Sequence, residues 1–330
     1  MTEATRLASV GLGWWGSNLA DAATKEGAEV VAAFARTPSS REAFAAKHPC
    51  RTPDTLEEIW NDPEIDGVLL ATPHTTHGDY IVAAAESGKH VFVEKPFTLT
   101  VAEGKRAIAA AERAGVVLQV GHNKRRQPAN RRLKQLIDDG ALGQVMMVET
   151  QQSVPNAQKF QPDYWRADRN ESPLGGMTSL GVHMIDTMHY LLGPVLRVFA
   201  FSNVLMDSPP IDDVTAIVLE FPSGQLGYLG TSFVVPRATD IAVRGTEGSA
   251  WNEENGTRFF RQARDDEARS EEPIDTLDTI ADQLGEFLAA IRGESVPETG
   301  GAEALEVIAV LEAAQASSES GRAESVADFR

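Results

Sequence analysis

Gly11, Gly13 and Gly16 stand as G-x-G-x-x-G between an apolar run, LASV, and the pattern WWGSNLADAATKEG. Three glycines at this spacing suit a phosphate cradle. The first permits a tight turn, the second lets backbone approach a pyrophosphate, and the third lets a helix pack close to a strand. A helix that starts here also offers unpaired amides and a partial positive charge. Dinucleotide binding is the chemistry expected of the turn, and Trp14 and Trp15, which lie inside it, are expected to share that site. At the end of the next strand, roughly 20 residues on, an acidic side chain would accept the ribose hydroxyls of NAD. The sequence instead has Ala35 and Arg36, followed by Thr37 and Arg41. Basic and hydroxyl groups there suit the 2′-phosphate of NADP, which becomes the expected cofactor with NAD second. The competing reading leaves Arg36 and Arg41 as ordinary surface residues.

These side chains need a scaffold. Over the first 120 residues short apolar runs (LASV, EVVAAF, GVLLAT, HVFVE, VVLQV) alternate with helical patterns. That alternation specifies an α/β fold, a doubly wound parallel sheet covered on both faces. Thr72, Pro73 and His77 then follow the third strand, and Glu94, Lys95 and Pro96 close the fourth. Both groups fall at the carboxyl edge, where open α/β sheets bind ligands. His77 can equally be a helix-start residue with no ligand contact. After Val120 the texture changes: PANRRLKQLIDDG reads as a helix, QVMMVETQQ as a strand, and a helix around His183 to Leu192 precedes LRVFAFSNV, VTAIVLEF, QLGYLGTSFVV and TDIAVRG. Turn residues such as Pro222, Ser223 and Gly224 join these runs. The expected division is a Rossmann domain over 1–121 and an α+β domain with a large, open, mostly antiparallel sheet over 122–330. The pattern AEALEVIAVLEAAQASSES is expected to dock on the body as a helix. In DVTAIVLEF neither alternate face looks made for water, which predicts a homodimer or homotetramer assembled through this sheet.

Composition narrows the function. The net charge of −18 over 330 residues argues against nucleic acid, because duplex binding requires a positive field. Lys124 to Lys134 is the one basic cluster, either a solvated helix face or a patch near an anionic cofactor. Cys50 is the only cysteine, so no disulfide or cysteine-based metal site is expected, and no HExxH pattern exists to hold zinc. No signal peptide or membrane-spanning run is seen, and a cytoplasmic location is expected. Asp265 to Glu272 (DDEARSEE) reads as a solvated loop.

Three further segments carry a resemblance: ATPHTTH (Ala71 to His77), EKPFTLT (Glu94 to Thr100) and GGMTSLGVHMID (Gly175 to Asp186). With the glycine turn, in this order and spacing, they resemble the glucose-fructose oxidoreductase, inositol dehydrogenase and rhizopine-catabolism (Gfo/Idh/MocA) family over nearly the whole chain. The resemblance implies NAD(P)-dependent hydride transfer to or from a secondary alcohol or ketone on a sugar, polyol or related cyclic compound. It places Lys95 beside the nicotinamide and the reacting carbon, often before a cis proline, and gives His183 the role of acid or base toward a substrate hydroxyl. A partly desolvated lysine near a cationic ring would have a lowered pKa, and imidazole titrates near neutrality, so both can carry a proton. The loop of Thr72, Pro73 and His77 is implied to shape the nicotinamide-ribose pocket, with Asn123 and His74 lesser candidates. Asp186 lies three residues past His183, on the same helical face, and is taken with it as a substrate ligand. The family commonly has an aspartate four residues before the histidine; here that position is Ser179, which can hydrogen-bond a sugar but carries no charge. Trp165 offers a flat surface for a ring and Arg166 a fork for an anionic group, unless both pin their loop. Two other functions share these features: transient oxidation giving net elimination or hydrolysis, and a non-catalytic dinucleotide or sugar sensor.

Overall fold

The apolar runs of the first 120 residues become β1 (Arg6–Val10), β2 (Glu29–Phe34), β3 (Gly67–Leu70), β4 (His90–Val93) and β5 (Leu118–Val120). A computed structural model describes residues 4–157, 160–161, 164–206 and 211–330. The five strands form one parallel sheet in the order β2-β1-β3-β4-β5. All four residues of β3 are buried, as a parallel strand covered on both faces requires. Its crossovers include α1 (Trp14–Lys25), α2 (Pro38–Lys47), the short α3 (Glu57–Trp60), α4 (His77–Glu86) and α5 (Val101–Ala114). Local chemistry sets the limits of α5: the Thr100 hydroxyl accepts from the Glu103 amide in a reciprocal capping box, and Gly115 ends the helix at φ 67°.

The described residues divide into two compact units, residues 4–122 with 278–305, and 123–277 with 306–330. Placing all of 122–330 in one domain therefore differs from the structure at His122 and over 278–305. The physical reason is α8 (Thr279–Ile291), whose Leu284, Phe287 and Leu288 pack with Leu7, Leu19, Ala23 and Phe92. Phe92 and Phe287 meet edge to face, centroids 5.7 Å apart. The Gln119 amide donates to the Gln283 carbonyl at 2.9 Å, and the Thr299 hydroxyl to the Val120 carbonyl at 2.7 Å.

In the second unit α6 (Pro128–Asp138), β6 (Val145–Ser153) and α7 (Val182–Leu192) precede β7 (Arg197–Asn203), β8 (Val214–Glu220), β9 (Leu226–Ser232), β10 (Ala238–Gly245), β11 (Gly248–Glu253), β12 (Arg258–Ala263) and β13 (Ser270–Glu272). Then come α9 (Gly301–Ser320), whose first turn counts with the first unit, and β14 (Glu324–Ser325). Nine strands pair in the order β13-β12-β11-β10-β6-β9-β8-β7-β14, antiparallel except for β6 with β9. β13 corrects the reading of Asp265 to Glu272 as loop throughout. It is an edge strand made of charge, with Glu271 forked by Arg258 at 2.8 and 2.9 Å, a composition that discourages further pairing. Ile217, Leu219 and Phe221 are fully buried, whereas Val218, Tyr228, Leu226 and Phe201 on the opposite face are 46–64% exposed. The later part of α9 is buried from Val307 to Ala314, apart from half-buried Glu312, and Ser317 accepts the Ala200 amide at 3.0 Å.

Candidate active site

The glycine turn has the geometry its spacing implies. Gly11 has φ 91°, and a methyl group there would overlap the Ala71 carbonyl oxygen. A methyl group on Gly16 would overlap the Gly11 carbonyl oxygen, so helix and strand approach closer than any side chain allows. Around Gly13 nothing lies within 4 Å of the same position. Gly13 is the N-cap of α1, where no side chain caps the helix and the first turn carries no acid. Free amides, helix dipole and open backbone together fit a pyrophosphate. Trp14 is 71% exposed and meets Trp15 edge to face at 4.9 Å.

At the end of β2, Arg36 and Thr37 are exposed, and Thr37 is the N-cap of α2 without a side-chain cap bond. Arg41 is placed otherwise. Its guanidinium donates to the Ala35 carbonyl at 2.9 Å and to Asp54 at 2.6 Å, so it braces the loop under Arg36 rather than standing open as a phosphate ligand. Cys50 packs against the cluster of Ala20, Val30, Ala33 and Phe44, and burial pushes its thiol pKa up, which suits packing and not chemistry.

The loops after β3 and β4 are tied together by His77. Its ring is fully buried, with Nδ1 2.8 Å from the Pro96 carbonyl oxygen and Nε2 3.1 Å from that of Thr72. His77 opens α4 and acts as a tie between loops, which takes its ring nitrogens away from any ligand. Thr72 and Thr76 share a hydrogen bond at 2.7 Å, and Pro73 precedes the turn His74–Thr76. The Lys95–Pro96 peptide is cis. Glu94 and Lys95 are buried at 6% and 8% exposure, and the Glu94 carboxylate lies against Gly121, where a methyl group would stand 3.0 Å from Oε1.

In the second unit, Leu174 and Gly175 are consecutive left-handed residues, and the Thr215 hydroxyl donates to the Leu174 carbonyl at 3.0 Å. A π-turn follows over Met177–Gly181, and α7 begins at Val182. Such turns hold one residue more than an α-turn and recur at functional sites. Ser179 sits in the π-turn and His183 in the first turn of α7, both nearly buried. Asp186 is not open to a substrate: it is fully buried and both its oxygens accept from Arg125, Oδ1 from Nη2 at 2.6 Å and Oδ2 from Nε at 2.9 Å. The basic cluster is accordingly neither a solvated face nor a free patch at Arg125 and Arg126, which are buried. Asn123 begins their turn and is half-buried. Trp165 and Arg166 are engaged with each other, the guanidinium 4.0 Å from the indole centroid and 2.6 Å from the Tyr164 hydroxyl. Sequence reasoning missed Gln152 and Thr231, which share a register on β6 and β9. Both are nearly buried, their Oε1 and Oγ1 have no hydrogen-bond partner among the described residues, and Thr231 lies under Gly176 and Gly181 at the ends of the π-turn. The period-2 alternation of β6, which groups Gln152 with buried Val148 and Thr150, was the available signal.

Profiles of two domains match this chain: an oxidoreductase family with an NAD-binding Rossmann fold over residues 5–122, and the GFO/IDH/MocA C-terminal domain over 130–251. The chain belongs to the Gfo/Idh/MocA family. It is an oxidoreductase of that family, and its parallel sheet and large, mostly antiparallel sheet are the family's fold. Among relatives, the scyllo-inositol 2-dehydrogenase (NAD(+)) of Bacillus subtilis is 34% identical over 203 residues, 58% of this chain and 56% of its own. The scyllo-inositol 2-dehydrogenase (NADP(+)) IolW of the same organism is 28% identical over 295 residues, 81% of this chain and 80% of its own. The solved structure of a Desulfitobacterium hafniense protein, 28% identical, superimposes with a TM-score of 0.93 over 100% of this chain and 99% of that one. Gfo/Idh/MocA relatives thus use either nicotinamide cofactor. Among the described residues, no helix is long and apolar enough to cross a membrane.

Proposed function

We propose that this protein interconverts a secondary alcohol and a ketone on a sugar, polyol or related cyclic compound, with NADP as the preferred cofactor. The observation that carries the reading is the uncapped start of α1 beside the open face of Gly13. When bound there, the dinucleotide supplies hydride exchange at its nicotinamide ring. The chain's own part is to hold the phosphates on the glycine turn, to keep Lys95 in place through the His77 tie on Pro96, and to move the hydroxyl proton with Lys95 and His183. Substrate hydroxyls offer the donors that the buried oxygens of Gln152 and Thr231 lack, which supports a polyhydroxylated ligand and gives Ser179 a hydrogen-bonding role. A panel of sugars, polyols and cyclic diols with their keto forms, scored by NADPH absorbance, tests the reading. Dinucleotide retained through purification without net turnover of added NADP points instead to transient oxidation.

Arg36 is the exposed cation at the end of β2, beside the uncapped start of α2. Arg36→Ala is expected to weaken NADP binding by about 10-fold or more, since hydrogen bonds to charged groups contribute roughly 1.5–3 kcal/mol. NAD binding stays nearly unchanged because NAD has no phosphate at that position. Equal effects in titrations with the two cofactors count against NADP selectivity.

The partner we propose for the open sheet face is a second copy of the chain. Phe201 pairs in register with Ala216, Val218 with Tyr228, and Leu226 with Met147, which sets exposed apolar side chains side by side across four neighbouring strands, a surface suited to covering by a partner. Light scattering at micromolar concentration should give a multiple of 35.6 kDa, and Val218→Glu should return it toward the monomer. A monomeric wild-type mass rules the assembly out.

A further inference from the structure

We propose that Arg125 is a positioning residue for His183, fixing the rotation of α7 through Asp186; the proposal rests on His183 being the proton carrier of the reading above. Arg125 reaches from the turn Asn123–Arg126 to Asp186 across 61 positions of sequence, and the two form a forked ion pair with side chains 7% and 0% exposed. The same guanidinium lies 5.5 Å from the Tyr190 ring centroid, and Arg131 of α6 lies 4.8 Å from it. Asp186 and Tyr190 are three and seven residues past His183, on one stripe of α7. What holds their side chains in place also sets the direction of the imidazole.

The helix needs such a hold because of what precedes it. A π-turn that relaxes to an α-turn expels one residue and rotates everything after it by about 100°, the angle between successive residues of a helix. Met177–Gly181 is bounded by Gly176 and Gly181, two residues without side chains to resist the change. Rotation by one residue would carry Asp186 off the guanidinium and take both charge-assisted hydrogen bonds from a fully buried carboxylate. The planar fork makes the hold directional, because both carboxylate oxygens must be met at once. Lysine, a point charge on a flexible stem, satisfies the charge without setting the angle.

The test does not depend on turnover alone. With histidine labelled at Cε1, the His183 resonance is assigned by its loss in His183→Gln among the seven histidines. The wild-type protein should give one His183 resonance, and Arg125→Met should double or broaden it while His48 and His90 stay unmoved. Millimolar guanidinium should restore the single resonance; urea, similar in shape but uncharged, should not. Arg125→Lys should remain broadened. On an identified substrate, kcat should fall roughly 10²-fold in Arg125→Met, the scale of a misplaced reacting group, with KM for the cofactor little changed and with recovery by guanidinium. If Arg125→Met does not fold, Asp186→Asn takes its place and should broaden His183 in the same way. An unperturbed His183 resonance in a folded variant, or recovery by urea as complete as by guanidinium, overturns the proposal. Absence of turnover by the wild type on every alcohol and ketone overturns the oxidoreductase reading instead, while the resonance still decides whether Arg125 sets the helix.

Discussion

Lys95→Met and His183→Gln are each expected to lower turnover by roughly 10² to 10⁴, the range usual for a lost general acid or base. Both side chains are nearly buried, at 8% and 5% exposure, and each replacement keeps approximate volume while removing the proton-carrying group. Dinucleotide affinity should change far less, because the phosphates are assigned to the turn after β1 and neither residue belongs to it. If both act on one substrate, the double variant should lose less than the product of the two single losses, since residues working as a unit are not additive. Ser179→Ala should act mainly on KM for the substrate, because a hydroxyl only donates or accepts a hydrogen bond. Steady-state kinetics measures these effects. Quenching of the exposed Trp14 reads cofactor affinity separately. Near wild-type turnover in both single variants removes the mechanism and favours a sensor.

The glycine turn yields the other large effect, and it separates two residues that a motif treats alike. Gly16→Ala should destabilise the protein by about 3 kcal/mol or more, because the added methyl meets the Gly11 carbonyl, which is backbone and cannot rotate away. Gly13→Ala places its methyl in open space on an extended residue at φ −73°, so it should cost less than about 1 kcal/mol, the scale of an altered N-cap. Its effect falls on binding. By holding the phosphates away from the amides at the start of α1, it should weaken dinucleotide binding roughly 10- to 100-fold, equivalent to about 1.5–3 kcal/mol of charge-assisted hydrogen bonding. Thermal melts and cofactor titrations on the two variants check the contrast. A Gly13→Ala protein that binds like wild type would falsify the assignment of the turn to the pyrophosphate.

What the sequence disclosed follows from how local each feature is. Gly11, Gly13 and Gly16 were legible because each answers a constraint set within one turn, and the first five strands because a buried parallel sheet writes continuous apolar runs. The bracing role of Arg41 was not legible because its partners, the Ala35 carbonyl and Asp54, appear only once the loop is folded. The Arg125–Asp186 pair was invisible for the same reason over a longer distance. Asp186 looked available to a substrate because i to i+3 spacing gives its face and not its occupant. The π-turn has no signature that distinguishes Met177–Gly181 from the helix after it. β13 was hidden by the charge that protects a sheet edge. Its composition is that of a loop.

The return of α8 to the first unit has a consequence for the order in which the molecule can form. Leu7, Leu69 and Phe92 belong to a core that Leu284, Phe287 and Leu288 complete. A nascent chain that has emerged only as far as the end of β5 therefore carries its first sheet with part of one face still uncovered. All of residues 123–277 must leave the ribosome before the covering helix does. Synthesis from the N-terminus favours early folding of early domains, but here the early domain waits for the late helix, and a chain released at residue 122 would present that apolar face to chaperones and to other chains.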